Sequence, residues 1–165
     1  MDNLVRDSLI VRTKLGAFRV RYTPRGIVAL DFPGSVESGS PVVAGKPPLF
    51  IRTFSRQLKS YAEGKAVRWR IPVAPSSGTD FQRQVWRVLA KIPWGETRSY
   101  GWVARQVGKP GASRAVGTAC GTNPIPVIIP CHRVIASDGS LGGFGGGLPM
   151  KKRLLALEKV VLKEE

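Results

Sequence analysis

Cys131, His132 and Arg133 stand consecutively in the chain, and a thiol beside two basic side chains is its clearest capacity for chemistry. Thiolate, rather than thiol, is the nucleophile, and nearby positive charge lowers a cysteine pKa. The stretch from Asn123 to Arg133, Asn-Pro-Ile-Pro-Val-Ile-Ile-Pro-Cys-His-Arg, holds one of two cysteines, the only histidine and three prolines. Its apolar run reads as buried strand, yet Pro124, Pro126 and Pro130 lack the donor a ladder needs and confine it to an edge or a stiff, irregular path. Adjacent side chains of an extended segment point to opposite sides, so a water would link the Cys131 sulfur to the His132 ring. The plain alternative is a buried cysteine acting as a small hydrophobe beside a satisfied histidine.

Glu158 is the second candidate. Pro149 suits the first turn of a last helix, on which Lys151, Leu154, Leu155, Glu158, Val161 and Leu162 share one stripe. A carboxylate in an apolar stripe needs a partner: His132 is one, solvent or a surface arginine another. Between cysteine and helix, Gly142 to Gly147 is five glycines interrupted by Phe144. The lysine-serine ending of a phosphate loop is missing. A mobile loop over a pocket fits better, its unshielded amides able to donate to a bound ligand and Phe144 able to cover it.

The elements around these residues suggest a polyanion surface. From Ser99 the pattern reads helix, turn, helix: Tyr100, Val103, Ala104 and Val107 form a stripe, Gly108-Lys109-Pro110-Gly111 breaks it, and Ala112 to Cys120 resumes it. Ala115, Val116, Ala119 and Cys120 are expected inward, Cys120 as packing. Arg114, Gly117, Thr118 and Gly121 fall on the opposite side at helical spacing, a nearly bare face able to approach something large and flat, DNA being the candidate. Ahead of this pair, Thr79-Asp80-Phe81-Gln82 has the form of a capping box and opens a helix with a core face of Phe81, Val85, Val88 and Leu89. Arg83, Arg87 and Lys91 on another face suit either solvent or phosphate. Lysine plus arginine number 26 against 11 acidic residues, a net charge of +15, which attracts nucleic acid first and anionic membrane second.

Pro130-Cys131-His132-Arg133-Val134, with Asn123-Pro124 before it and Gly142 to Leu148 and Leu154-Leu155-Ala156-Leu157-Glu158 after it, resembles the O6-alkylguanine-DNA alkyltransferases, the methylated-DNA–protein-cysteine methyltransferases. The resemblance runs from about Gly78 to Glu158 with consistent spacing; the first half is only loosely similar. It implies irreversible, single-turnover transfer of an alkyl group from O6-alkylguanine, and less well O4-alkylthymine, in DNA to Cys131. Glu158 would orient His132, which takes the thiol proton through water; Tyr100 would serve N3 of the guanine, the Gly145 amide its O6, and the carbonyls of Cys131 and Val134 its exocyclic amine. Lys151 would add positive potential and Asn123 would brace the turn before the cysteine. Phe144, Gly145 and Gly146 would form the base-covering loop, Phe144 and Gly145 standing where family members often carry tyrosine and serine. The second helix would enter the minor groove of double-stranded DNA through Ser113, Arg114, Ala115, Gly117 and Thr118, with Arg133 also on DNA and Arg114 filling the space of the flipped base. Two rivals remain: a lesion-sensing DNA-binding module, which in relatives lacks the acceptor cysteine present here at 131, and a thiol hydrolase, which would turn over.

The whole reads as α+β: an N-terminal lobe, 1–78, of a small antiparallel sheet with a helix, and a mostly helical lobe, 79–165, with a helix-turn-helix and the active-site cysteine. Residues 9–13, 16–23 and 26–32 read as a three-strand meander, Pro33 to Pro48 as loop, Leu49 to Tyr61 as a helix with Phe50, Ile51, Phe54, Leu58 and Tyr61 inward, and Val67 to Val73 as extended chain. No apolar run approaches the ~20 residues of a membrane span, and Met1-Asp2-Asn3 lacks the layout of a signal peptide. The expectation is a soluble, cytoplasmic monomer with no obligatory protein partner. No cofactor is expected, and no metal, because two cysteines and one histidine fall short of a four-ligand site.

Overall fold

The computed structural model describes residues 7–35 and 45–162, so the loop expected from Pro33 to Pro48 and the N-terminal tripeptide lie partly or wholly outside the described residues. The chain is α+β and divides into two compact units, Met1–Ser76 and Ser77–Glu165. In the first, strands β1 (Asp7–Thr13), β2 (Gly16–Thr23) and β3 (Gly26–Asp31) form an antiparallel sheet in that order. Phe18, Val20 and Tyr22 on β2 are buried while Arg19 and Arg21 between them are not, the period of two that a half-covered sheet imposes. Gly16 closes the first hairpin at φ +117°, where a Cβ would sit 2.7 Å from Pro33.

Helix α1 (Leu49–Ala62) buries Ile51, Phe54, Leu58 and Tyr61, and Trp69 lies 5.9 Å from both Phe54 and Tyr61. Phe50, expected inward, is only half-buried and meets Tyr22 edge-on at 6.1 Å. Among the described residues, the extended piece 67–73 meets the sheet at its end, where Ile27 donates to Pro72 and accepts from Ala74. Pro72 has no amide to lengthen the ladder.

The second unit begins with α2 (Asp80–Leu89), capped as expected: Thr79 Oγ1 accepts from the Gln82 amide at 3.2 Å, and Gln82 Oε1 accepts from the Thr79 amide at 2.8 Å. Its buried face is Val85, Trp86 and Leu89, whereas Phe81 and Val88 are half-buried. Strand β4 (Arg98–Ser99) leads into α3 (Tyr100–Gln106), whose cap Ser99 accepts from the Trp102 amide at 3.0 Å. After a turn comes α4 (Ser113–Gly121); β5 (Val134–Ile135) pairs parallel with β4, and α5 (Leu148–Leu157) closes the unit. Helix α5 is shorter than its apolar stripe predicts: Glu158 is the C-cap and Val161 is 94% exposed. Lys159 follows at φ 61°, a left-handed residue that ends the helix.

One indole holds α4 in place. Trp86, 3% exposed, donates Nε1–H to the Ala119 carbonyl at 2.8 Å across the α2–α4 interface. Trp86→Phe keeps an aromatic ring but removes the N–H donor and part of the buried indole, so it should lower stability by about 1–3 kcal/mol and accelerate hydrogen exchange of the α4 amides; unchanged exchange would show that the indole does not seat the helix.

Candidate active site

Asn123 Nδ2 donates to the Ile129 carbonyl at 2.8 Å and its Oδ1 accepts from the Ile125 amide at 3.0 Å, so one side chain braces the turn between α4 and the cysteine. Within that turn Val127 has φ 73°, a conformation a β-branched residue adopts only when its surroundings impose it. The segment is therefore not the buried strand its apolar run suggests. With three prolines withholding donors, it takes the irregular path, and Cys131–Arg133 forms one turn of 3-10 helix. Such a turn separates successive side chains by about 120°, which allows Cys131 and His132 to serve different surroundings.

His132 and Arg133 both meet the same carboxylate. His132 Nε2 lies 2.7 Å from Glu158 Oε1; Arg133 donates through Nε to Oε2 and through Nη2 to Oε1, each at 2.8 Å. Arg133 Nη1 also donates to the Ile92 carbonyl at 2.6 Å, and the Gly95 amide donates to Glu158 Oε2 at 3.3 Å. All three side chains are buried. This corrects the expectation of Arg133 on DNA: its guanidinium is turned inward and committed to neutralising Glu158.

The protonation states follow. Burial pushes the Glu158 carboxyl up, but hydrogen bonds from His132 and Arg133, with their charges, outweigh it and bring its pKa down to about 2. Burial lowers the His132 pKa, and Glu158 only partly offsets this. A neutral imidazole facing a carboxylate carries its proton on Nε2, which makes Nδ1 the basic nitrogen. Burial raises the Cys131 pKa despite the Asn123 side chain, Lys151 and the local amides, which favour thiolate. The net depression anticipated from the adjacent cations is absent, because burial outweighs the groups that favour thiolate; at rest Cys131 is a thiol.

The cysteine lines a cavity of about 630 Å³ together with Tyr100, Arg114, Cys120, Phe144 and Gly145. Ser113, Gly117, Thr118 and Gly121 complete the α4 wall, and Gly142 and Gly143 the loop wall. Burial first, then the neighbouring cysteines, raise the Tyr100 hydroxyl pKa to about 12, so this phenol keeps its proton. A Cβ on Gly142 would lie 2.6 Å from Tyr100 Oη, which explains a glycine there, at φ +69°. Asn123, His132, Glu158 and Lys151 stand outside the lining and support it from the protein side. Ala115 and Gly146 are also outside it; Ala115 is exposed rather than inward, because the buried stripe of α4 narrows to Val116 and Ala119. Val134 is buried and its carbonyl accepts from Lys151 at 2.7 Å.

A family model described as the 6-O-methylguanine DNA methyltransferase DNA-binding domain matches residues 80–160. A methylated-DNA–protein-cysteine methyltransferase of Methanosarcina barkeri is 44% identical over 151 residues, 91% of this chain and 95% of its own length. The chain belongs to the methylated-DNA–protein-cysteine methyltransferase family. The O6-methylguanine methyltransferase of Mycobacterium tuberculosis has a similar solved structure, with TM-score 0.81, 36% identity and coverage of 94% of this chain and 93% of that one. The Mycobacterium tuberculosis OGT solved in complex with DNA has TM-score 0.77 and 38% identity, covering 91% of each chain.

Within this family fold, sequence reasoning missed Cys120, assigned to packing but lining the cavity beside Cys131. A signal existed: position 120 is three residues beyond Gly117, so it borders the bare face as closely as the core face. It also missed the Gly95 amide and Ile92 carbonyl, backbone groups with no sequence signature.

The carboxylate makes stability pH-dependent. The folded Glu158 pKa of about 2 lies below its ordinary 4.5, so its contribution is complete above pH 4.5 and is lost as pH falls through about 2. His132, kept neutral by folding, acts in the same direction below its ordinary 6.5. Urea unfolding at stepped pH should show roughly 3 kcal/mol lost across the carboxylate window, and a much flatter profile in Glu158→Gln. Equal slopes in the two proteins would place the acid sensitivity elsewhere.

Proposed function

We propose that the chain repairs alkylated DNA by direct reversal, moving the alkyl group of O6-alkylguanine onto Cys131 once per protein molecule. The supporting observation is that Cys131 shares one cavity with Tyr100 and with Arg114 of α4, while His132, held by Glu158, adjoins it from the protein side. Duplex DNA approaches α4 through its minor groove. Ser113, Gly117 and Thr118 are small enough to admit the backbone, and Arg114 occupies the gap left when the damaged base rotates into the cavity. Extrusion costs a few kcal/mol, which phosphate contacts and Arg114 offset. A net charge of +15 supplies the long-range attraction.

The chemistry begins from a neutral thiol. His132 Nδ1 takes its proton through a water, and Glu158 stabilises the imidazolium that forms. The Cys131 sulfur attacks the alkyl carbon in line; an S–C bond forms as the C–O6 bond breaks, and its electron pair passes to the purine. Tyr100, protonated because its pKa stands near 12, steadies the departing purine by a hydrogen bond to N3. The purine anion takes one proton from water, and the imidazolium returns the thiol proton to solvent, so charge and protons balance. The Gly145 amide donates to O6 and Phe144 covers the base. The product is guanine and an S-alkyl cysteine, whose thioether is too poor a leaving group to regenerate the thiol. O4-alkylthymine, a smaller base with the same kind of leaving group, is a weaker substrate. The protein works as a monomer.

Incubation with duplex DNA carrying O6-methylguanine should add one methyl group to the Cys131 peptide by mass spectrometry, with a limit of one equivalent per protein and none in Cys131→Ala. Arg114→Ala should slow transfer from duplex at least about tenfold, about 1.4 kcal/mol. Repeated turnover would favour hydrolysis; lesion binding with no mass change on the intact protein would leave a sensing module.

A further inference from the structure

We propose that Lys151 is a positioning residue, a latch whose ammonium ties the glycine loop over the cavity to the backbone that follows Cys131. Its Nζ donates to the carbonyls of Val134 at 2.7 Å, Leu141 at 2.5 Å and Gly143 at 3.3 Å. An ammonium has three donors, and three acceptors meet them. Val134 comes directly after the Cys131–Arg133 turn, whereas Leu141 and Gly143 flank Gly142 in the loop. One side chain thus bridges the two segments between which a base would lie. The same Nζ stands 5.9 Å from the Phe144 ring centroid.

Lys151 is 0% exposed, and among the described residues no carboxylate forms a salt bridge with it. Burying a cation is heavily penalised unless it is solvated by fixed dipoles, so the loop must close for Lys151 to be buried as it is. The converse also holds. Gly142, Gly143 and Gly145 have no side chains to pack, and ordering glycine loses more backbone freedom than ordering any other residue. Without the ammonium, the loop retains the Gly147-to-Phe144 turn bond at 3.0 Å and the contact of Gly142 with Tyr100. The cavity wall and the Gly145 amide then lose their fixed position.

This inference rests on the proposed alkyl transfer and differs from a purely electrostatic role, in which Lys151 would promote thiolate at Cys131. The experiment compares the full chain with K151M and K151R in three measurements: hydrogen exchange of the Gly142–Gly147 amides, single-turnover transfer from an O6-methylguanine duplex, and carboxamidomethylation of Cys131 by iodoacetamide across pH. In K151M, loop exchange should rise at least tenfold and transfer should fall about a hundredfold, while the pH midpoint for iodoacetamide, which Lys151 helps to hold down, rises by far less than that loss requires. K151R keeps the charge on a longer, planar head that does not match three carbonyls, so it should not restore loop protection or transfer. It carries the test should K151M fail to fold. Unchanged loop exchange, full recovery in K151R, or an upward shift of the iodoacetamide midpoint that tracks the loss of transfer would overturn the latch. A wild-type chain whose Cys131 reacts with iodoacetamide but never with the duplex would instead overturn the proposed transfer.

Discussion

The buried carboxylate of Glu158 is the constraint that the C-terminal unit satisfies first. A bare charge in that position would cost several kcal/mol, and it is met by donors from two separate segments: His132 and Arg133 from the cysteine turn, and the Gly95 amide before β4. Because Glu158 is also the C-cap of α5, the same interaction fixes where the last helix ends. Arg133 shares the charge of Glu158, and burial keeps His132 neutral, the state that the proposed role as a base requires.

That arrangement decides what kind of nucleophile the site holds. Cys131 is buried and its pKa is raised, so the protein carries a protonated thiol rather than a standing thiolate. A neutral thiol is less exposed to oxidation and stray electrophiles. In the proposed transfer, reactivity is then a property of the occupied cavity, where proton removal by the His132–Glu158 pair would coincide with attack. The raised Tyr100 pKa fits the same proposal, since a phenol that keeps its proton could give a hydrogen bond to a leaving base.

The cavity gains width by leaving its walls nearly bare, and support comes from behind. Gly117 on α4 and Gly142, Gly143 and Gly145 in the loop leave room for a purine, at a cost in order. Each wall is secured by a side chain rooted elsewhere: α4 by the indole of Trp86, the turn after it by Asn123, and the loop by Lys151. None of these three touches the cavity.

Much of the chain was legible from residue types alone. The Thr79–Gln82 capping box, the α3–turn–α4 pattern, the three-strand meander and the need of Glu158 for a partner all follow from local rules, because caps, turns and apolar periodicity act over a few positions. Arg133, Cys120 and Ala115 were misplaced, and the cysteine segment was given a strand it does not form. Which way an arginine turns depends on a carboxylate 25 residues away, and the width of a helix's buried face depends on the helix packed against it. Local sequence therefore determined the chemical inventory and most elements: a cysteine, one histidine, a carboxylate and a glycine loop at fixed intervals. Only the tertiary structure decided that Arg133 serves Glu158, that burial outweighs adjacent charge at Cys131 and that Lys151 spans two segments, because desolvation and hydrogen-bond partnership depend on chain segments distant in sequence.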